Sequence, residues 1–481
     1  MDAHDSLSPP SLASAVAQAR AAQPAWAALS FRERARALRK LALRLRDDQE
    51  LPRLISSEGG KPMFEAVGFE VVYLLESIRF LAGRAGRAAL VETCRRPFVF
   101  PWKRARVAWR PRGVVAVIGP WNFPLLNNVG DAVAPLLAGN AVLLKPSPHT
   151  PGASRRVEQL WRQASLPNGI FQVVEGDAEV GRALVDVCDM VFFTGSVAGG
   201  QAVARRAGER LIPYVAELGG KSPMIVLADA DLEAAARGAA WGAFANSGQI
   251  CIRPQRVLVQ AEVADAFVAL LVHKAQTLRV GPVTGDVDVG ALMLDAQVER
   301  ARAQIADAVT RGGQILCGGD LLADQPGRFF APTVIDHVAP DAALAREETF
   351  APVLPILRVR DADEAVRLAN DSPLGLAGYV WSANSETARN VARRLQTGSV
   401  CINDVLVNYL CANAPLGGIK QSGLGFRNGP EALRQFCYPQ TIVEDRALLG
   451  WLAAFVRRQL AFPYRQRTLR LVRWLIRVIY P

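Results

Sequence analysis

The sequence predicts an α/β protein built from two doubly wound parallel sheets, with a small β element set apart from them. Three observations carry this prediction. Short β-branched runs alternate with helical stretches, the alternation occurs twice in series, and turn residues close each run. At 481 residues the chain exceeds one ordinary core, so two or three domains are expected. Half of the residues are hydrophobic and 21% are charged, which suits a large packed core and excludes a disordered chain.

Residues 11–90 read as helices, Ala-rich with apolar residues three and four apart, as in FRERARALRKLALRLRDDQE. The stretch PFVFPWKRARVAWRP (97–111) reads as a hairpin outside the core. The first α/β set follows. Its strands are GVVAVIG (113–119), NAVLLKPS (140–147), stopped by Pro146 and Pro148, and DMVFFTGS (189–196), with AGGQAVARRAGE as the next helix. The second set opens near PMIVLADADLE (223–233), with helices around 230–245 and 264–279 and strands near 256–260 and 376–381. Two such sets place a cleft between them, where ligands of this architecture usually sit. The expected boundaries are 1–219 and 220–420 for the two α/β domains, 421–445 for a return to the first, and 446–481 for a tail.

Composition narrows the function. The amino terminus, MDAHDSLSPP, has no apolar run and reads as neither a secretory signal nor a transit peptide. Seven scattered cysteines without a Cys-x-x-Cys pair suit a reducing compartment, so a cytoplasmic location is expected. Four histidines in no ligand spacing give no expectation of a metal. Of the net charge of +11, eight charges are arginines of the last 36 residues, which contain no acid or lysine; the body carries only +3. These arginines interleave with bulky aliphatics rather than forming an open basic face, so nucleic acid is not expected.

Four segments carry candidate chemistry: ELGGKSP (217–223), NSGQICIRPQR (246–256), GPWNFPL (119–125) and EETFAPV (347–353). Taken singly, each has a bland reading. A cysteine is usually core filler, a glutamate before two glycines can be a turn residue, and Asn122 can brace its own turn. FTGSVAGG (193–200) lacks the Gly-x-Gly-x-x-Gly fingerprint.

Taken together they are specific. Glu217-Leu218-Gly219-Gly220-Lys221 precedes Gly248-Gln-x-Cys251, with 34 residues from Glu217 to Cys251. Pro120-Trp121-Asn122-Phe123-Pro124, Phe193-Thr194-Gly195-Ser196, Glu348-x-Phe350 and Pro415-Leu416-Gly417-Gly418 complete the set. From about residue 15 to about 445 the chain resembles the aldehyde dehydrogenase superfamily. The resemblance implies two Rossmann-like domains, one for the cofactor and one catalytic, and a small β oligomerisation element containing the 97–111 hairpin. It also implies NAD(P)-dependent oxidation of an aldehyde to a carboxylic acid through a thioester on Cys251.

By the same resemblance Cys251 is the nucleophile, Asn122 the oxyanion donor and Glu217 the base that activates the hydrolytic water. The thiolate of Cys251 is expected to be favoured by a helix start or a nearby base. NAD or NADP is expected against Ile118, Trp121, Lys145, Gly195, Ser196, Gly200, Glu348 and Phe350. Many NAD-preferring relatives have Lys-Pro-Ser-Glu where this chain has Lys145-Pro146-Ser147-Pro148. Loss of that carboxylate removes both a ribose acceptor and a repulsion of the 2′-phosphate, so NADP should be tolerated or preferred. Relatives that pass the acyl group to coenzyme A commonly lack the glutamate, which makes a coenzyme A-acylating enzyme the alternative within catalysis. A non-catalytic binding protein retaining the fold is the alternative outside it.

The residues beside the nucleophile, Ile250 and Ile252, and the 406–414 segment are largely apolar, which suggests an apolar aliphatic or aromatic aldehyde. The resemblance implies a homodimer or homotetramer joined through the 97–111 hairpin and the strand near 440–444. In the 446–481 tail, Arg470, Arg473 and Arg477 share one helical face and aliphatic residues surround it. Fatty-aldehyde-type relatives also carry apolar carboxyl-terminal extensions. The apolar run LLGWLAAFV (448–456) is only nine residues long, short of the roughly 20 that a bilayer span needs, but the tail can lie on the inner membrane face or pack on a partner subunit.

Overall fold

The protein is described by a computed structural model covering residues 9–446 and 449–480. It divides into two compact units, one formed by the chain up to Ala89 with Pro111–Phe436, the other by Leu90–Arg110 with the chain from Cys437 onward.

The first unit contains both large sheets. In one, the strands lie in the order Gly423–Leu424, Tyr214–Glu217, Met190–Thr194, Val114–Ile118, Ala141–Lys145, Phe171–Val173. All neighbours are parallel except the edge pair of Gly423–Leu424 with Tyr214–Glu217. Val114–Ile118 and Ala141–Lys145 are buried at every position, because helices cover both faces; such strands read as continuous apolar runs. The chain runs outward from Val114–Ile118 in one direction, then returns and runs outward in the other from Met190–Thr194. The switch point lies between these two strands, and a crevice opens beyond their carboxyl ends.

The other sheet has seven strands in the order Gln314–Cys317, Thr333–Asp336, Val353–Val359, Arg256–Gln260, Pro223–Val226, Ala377–Trp381, Ser399–Ile402. Only the Gln314–Cys317 edge is antiparallel. The helices Leu232–Phe244 and Ala261–Gln276 pack their alanine-rich faces on it. The expected strands and helices of both sets are present within a few residues of their predicted bounds.

The amino-terminal helices are local in origin. Phe31–Asp47 starts with a capping box, in which Ser30 accepts the Glu33 N–H and Glu33 accepts the Ser30 N–H. Two π-helical turns, Ala66–Val71 and Leu126–Gly130, have no signal in the sequence. They sit beside one another and near the site, where one extra residue per turn re-aims side chains.

The second unit is a three-stranded sheet of Thr93–Arg95, Lys103–Pro111 and Cys437–Asp445, with the middle strand central. The predicted 97–111 hairpin is shifted: Lys103–Pro111 is the strand, its antiparallel partner lies upstream at 93–95, and 96–102 connects them. Glu444 accepts from Arg104 and Arg106, and Asp445 pairs with Lys103 at 2.6 Å. Beyond the sheet come the helices Gly450–Leu460 and Gln466–Ile479, and no residue of the latter is buried. Among the described residues no helix is long and apolar enough to cross a membrane.

Candidate active site

Five residues, Leu218–Ser222, join the strand Tyr214–Glu217 of one sheet to Pro223–Val226 of the other, and they carry the backbone past Cys251. A side-chain carbon on Gly220 would lie 2.6 Å from the Cys251 carbonyl oxygen, and one on Gly219 would lie 2.6 Å from a Glu348 carboxylate oxygen. At Gly220, where the obstacle is backbone, only glycine permits this approach. The link is pinned by hydrogen bonds: Leu218 N–H donates to Ser422 O at 2.8 Å, Ser422 Oγ to Gly219 O at 2.7 Å, and Gln255 Nε2 to Gly220 O at 2.7 Å.

Cys251 follows a short 3-10 turn, Ala245–Gly248, in which Asn246, Ser247 and Gly248 all have positive φ. That strain is held by buried partners. Both Glu65 carboxylate oxygens accept the Asn246 N–H at 3.0 Å, and Ser247 Oγ donates to Gly290 O at 2.9 Å. At Gly248, φ is 72° and Ala351 O would lie 2.4 Å from any side-chain carbon, so glycine is required twice over. Cys251 therefore does not sit at a helix start.

Asn122 is buried in the turn after Val114–Ile118. Its Nδ2 donates to Gln249 O at 2.9 Å, and its own carbonyl accepts from Lys61 Nζ at 2.7 Å and Asn246 Nδ2 at 3.1 Å. Lys61 also pairs with Glu70 at 2.7 Å with both side chains wholly buried, and Glu70 accepts the N–H groups of Leu125 and Leu126. This buried pair ties the two π-helical turns to the Asn122 segment. Breaking one member of such a pair typically costs about 3–5 kcal/mol.

Two cavities meet at the cysteine. The larger, about 260 Å³, is lined by Trp121, Asn122, Gly195, Ser196, Glu217, Gln297, Glu348, Phe350 and Cys251, among others. The smaller, about 40 Å³, is walled by Phe69, Phe123, Leu126, Ile250, Ile252, Leu406, Tyr409 and Leu416, with Asn127, Arg427, Glu217 and Cys251. Cys251 and Glu217 stand at the junction of the two.

The larger cavity suits a dinucleotide. It lies at the switch point, where Ser196 caps the helix Val197–Glu209 and Gly195 offers no side chain. Trp121 and Phe350 meet edge to face at 5.6 Å on its wall, and Phe350 is held at φ 56°. Glu348 accepts from Gly220 N–H at 3.0 Å. Ile118, Lys145 and Gly200 lie outside this lining. Lys145 is buried, with Nζ donating to Pro146 O at 3.2 Å, while Gly200 makes room for Leu218. Among the described residues no cluster could hold a metal ion.

Enclosure sets the electrostatics. Burial pushes the Cys251 thiol up to about 12; Arg427 opposes this, and Glu348 and Glu217 add to it. Burial likewise raises Glu217 to about 8, with Arg427 pulling down and Asp131 pushing up. Cys251 thus rests as a thiol, and the carboxyl that shares its cavity is Glu217. Three groups here escaped the sequence: Arg427, Asp131 and the Lys61–Glu70 pair. Arg427 lies in a Phe-Arg-Asn-Gly turn and Asp131 reads as a helix-start acid, so neither has a local signal of function.

A family profile described as "Aldehyde dehydrogenase family" matches residues 6–442. A Mycobacterium bovis protein named "Putative succinate-semialdehyde dehydrogenase [NADP(+)] 2" is 37% identical over 439 residues, covering 90% of this chain and 84% of its own. A Methylomonas protein, "4,4'-diapolycopene aldehyde oxidase", is 40% identical over 429 residues, covering 88% and 80%. The solved NAD-dependent aldehyde dehydrogenase of Sinorhizobium meliloti superposes with a TM-score of 0.87 at 36% identity, over 91% of this chain and 87% of that one.

Proposed function

The chain belongs to the aldehyde dehydrogenase family and is an NAD(P)-dependent oxidoreductase acting on an aldehyde; from that premise we propose that Cys251, Asn122 and Glu217 perform the reaction and that the product is a free acid. The observation that carries this reading is the position of Cys251 and Glu217 where the cavity at the switch point meets an apolar one.

The chemistry follows from the site. Cys251 reacts as its thiolate, its proton released to solvent, and the sulfur bonds to the aldehyde carbon. The oxygen gains negative charge and is met by Asn122 Nδ2 and the Cys251 N–H, a donor of this kind being worth about 3 kcal/mol. Bound NAD(P) supplies the acceptor for the hydride leaving that carbon. Collapse of the oxyanion leaves a thioester on Cys251. Glu217 then takes a proton from water, the hydroxide adds to the acyl carbon, and the C–S bond breaks to release the acid and restore the thiolate. Trp121, Gly195, Ser196, Glu348 and Phe350 hold the dinucleotide, with Ile118, Lys145 and Gly200 supporting the crevice from behind its lining.

The apolar cavity supports an aliphatic or aromatic aldehyde. Its charged wall residue other than Glu217 is Arg427, already paired with Asp131 at 3.4 Å. Arg253, which flanks the nucleophile, turns into the core and donates to Pro254 O and Val353 O. The Lys145-Pro146-Ser147-Pro148 stretch supports use of NADP.

The tail supports contact with an anionic bilayer. Leu471, Val472, Leu475, Ile476 and Ile479 are all at least 37% exposed along one side of Gln466–Ile479, opposite Arg470, Arg473 and Arg477.

Four measurements test these statements. In Glu217→Gln, rapid mixing with aldehyde and cofactor should give a burst of about one equivalent of reduced cofactor and then turnover slowed about 100-fold or more. In the parent enzyme, post-burst turnover should rise with pH through about 8 and level off, because the base works as its carboxylate. Wild-type turnover in Glu217→Gln defeats the assignment. A panel with both cofactors should favour long-chain or aromatic aldehydes over succinate semialdehyde and should show efficient use of NADP; preference for the acidic semialdehyde, or strict NAD use, contradicts the reading. Finally, the full chain should float with phosphatidylglycerol vesicles and not with phosphatidylcholine ones. The Leu475→Glu, Ile479→Glu variant should stay at the bottom; equal partition of both proteins removes the membrane reading.

A further inference from the structure

Arg427 is buried beside the reacting groups, and the reaction as described gives it no part. It is 8% exposed and lines the apolar cavity together with Cys251 and Glu217. Its guanidinium is fixed on one side. Nη2 lies 3.4 Å from Asp131 Oδ2 and donates to Thr194 Oγ1 at 3.1 Å, and Nη1 donates to Asn127 Oδ1. Thr194 Oγ1 in turn donates to Asp131 Oδ2 at 3.2 Å, so the anchor is itself cross-braced. On the other side, Arg427 Nε and Glu217 Oε1 are both buried and neither has a hydrogen-bond partner. A cation and a carboxylate thus share one cavity wall with the nucleophile, each with an unsatisfied polar atom.

We propose that Arg427 is a positioning residue for hydrolysis of the acyl enzyme: its anchored positive charge holds Glu217 as the carboxylate that must take the proton from water. This rests on Glu217 being the base. An arginine suits the task because it stays protonated when buried, and a fixed charge on the same wall of an enclosed site acts strongly. Burial works against that charge, but Asp131, Glu217, Tyr73 and Cys251 hold it above its ordinary value. The charged and titratable groups facing Glu217 are Arg427, Asp131, Tyr73 and Cys251. Of these Arg427 alone is a cation, and Asp131 acts in the opposite sense. A purely structural arginine, bracing the 426–429 turn, would affect stability without moving the titration of the base.

The test is the pH dependence of post-burst turnover, which isolates hydrolysis from thioester formation. Arg427→Met should move the midpoint upward by about 1 pH unit or more while the burst persists at high pH. Arg427→Lys should stay near the parent, and Asp131→Asn should move the midpoint downward. Coincident midpoints for Arg427→Met and the parent overturn the proposal, as does an equal shift in Arg427→Lys. Should Arg427→Met not fold, the Arg427→Lys and Asp131→Asn pair decides: an unmoved midpoint in Asp131→Asn overturns it. Glu217→Gln is run alongside. If that variant turns over normally the base assignment itself fails, whereas an unmoved Arg427→Met midpoint with a stalled Glu217→Gln removes only the role of Arg427.

Discussion

The contact on which the rest of the site depends is the passage of Gly219 and Gly220 against Glu348 and the Cys251 carbonyl. Five residues separate the end of one parallel sheet from the start of the other, and they must cross the cleft in that span. Their closeness to the nucleophile's backbone sets Glu217, at the end of its strand, over the same cavity as the Cys251 side chain. A methyl group at Gly220 would push the two segments apart. The placement of Glu217 against Cys251 therefore follows from backbone packing rather than from the reach of a flexible side chain, which is the precision the proposed two-step acyl transfer needs.

Electrostatics follow from that enclosure. Removing Cys251 and Glu217 from water raises both, so the resting site holds a protonated thiol and a carboxyl that titrates near working pH. A group with that titration can accept a proton in one step and return it in another. The fixed counter-charges are few and paired: Arg427 with Asp131, and Lys61 with Glu70. The second pair is the structural one, since it holds the Asn122 turn by its backbone carbonyl while Glu70 grips the N–H groups of Leu125 and Leu126. Buried ion pairs are costly unless every partner is satisfied, and they are retained where they specify one arrangement.

Much of this was legible in the chain. Strands such as Val114–Ile118 and Ala141–Lys145 announce themselves as apolar runs between turn residues, and the helix after Ser196 begins with its cap in plain view. Cys251, Glu217 and Asn122 stand out because their neighbours are glycine, proline and tryptophan in a fixed order. What stayed hidden depends on contacts far apart in sequence. Asp131 and Arg427 meet across 296 positions, and the π-helical turns arise from packing against one another rather than from any local pattern. The 97–111 hairpin shifted for a local reason instead: the pairing partner of Lys103–Pro111 is a three-residue strand, Thr93–Arg95, too short to register as a periodic run. At Gly200 a side chain would collide with Leu218, a constraint that comes from tertiary packing alone.

The central claim is that one sulfur carries the acyl group between oxidation and hydrolysis. Its most direct test is Cys251→Ala in the full chain, assayed for aldehyde-dependent reduction of NAD(P) beside circular dichroism and cofactor-binding fluorescence. The account predicts a loss of turnover of more than about 1,000-fold with folding and cofactor binding retained. Oxidation at an undiminished rate in that variant would contradict it.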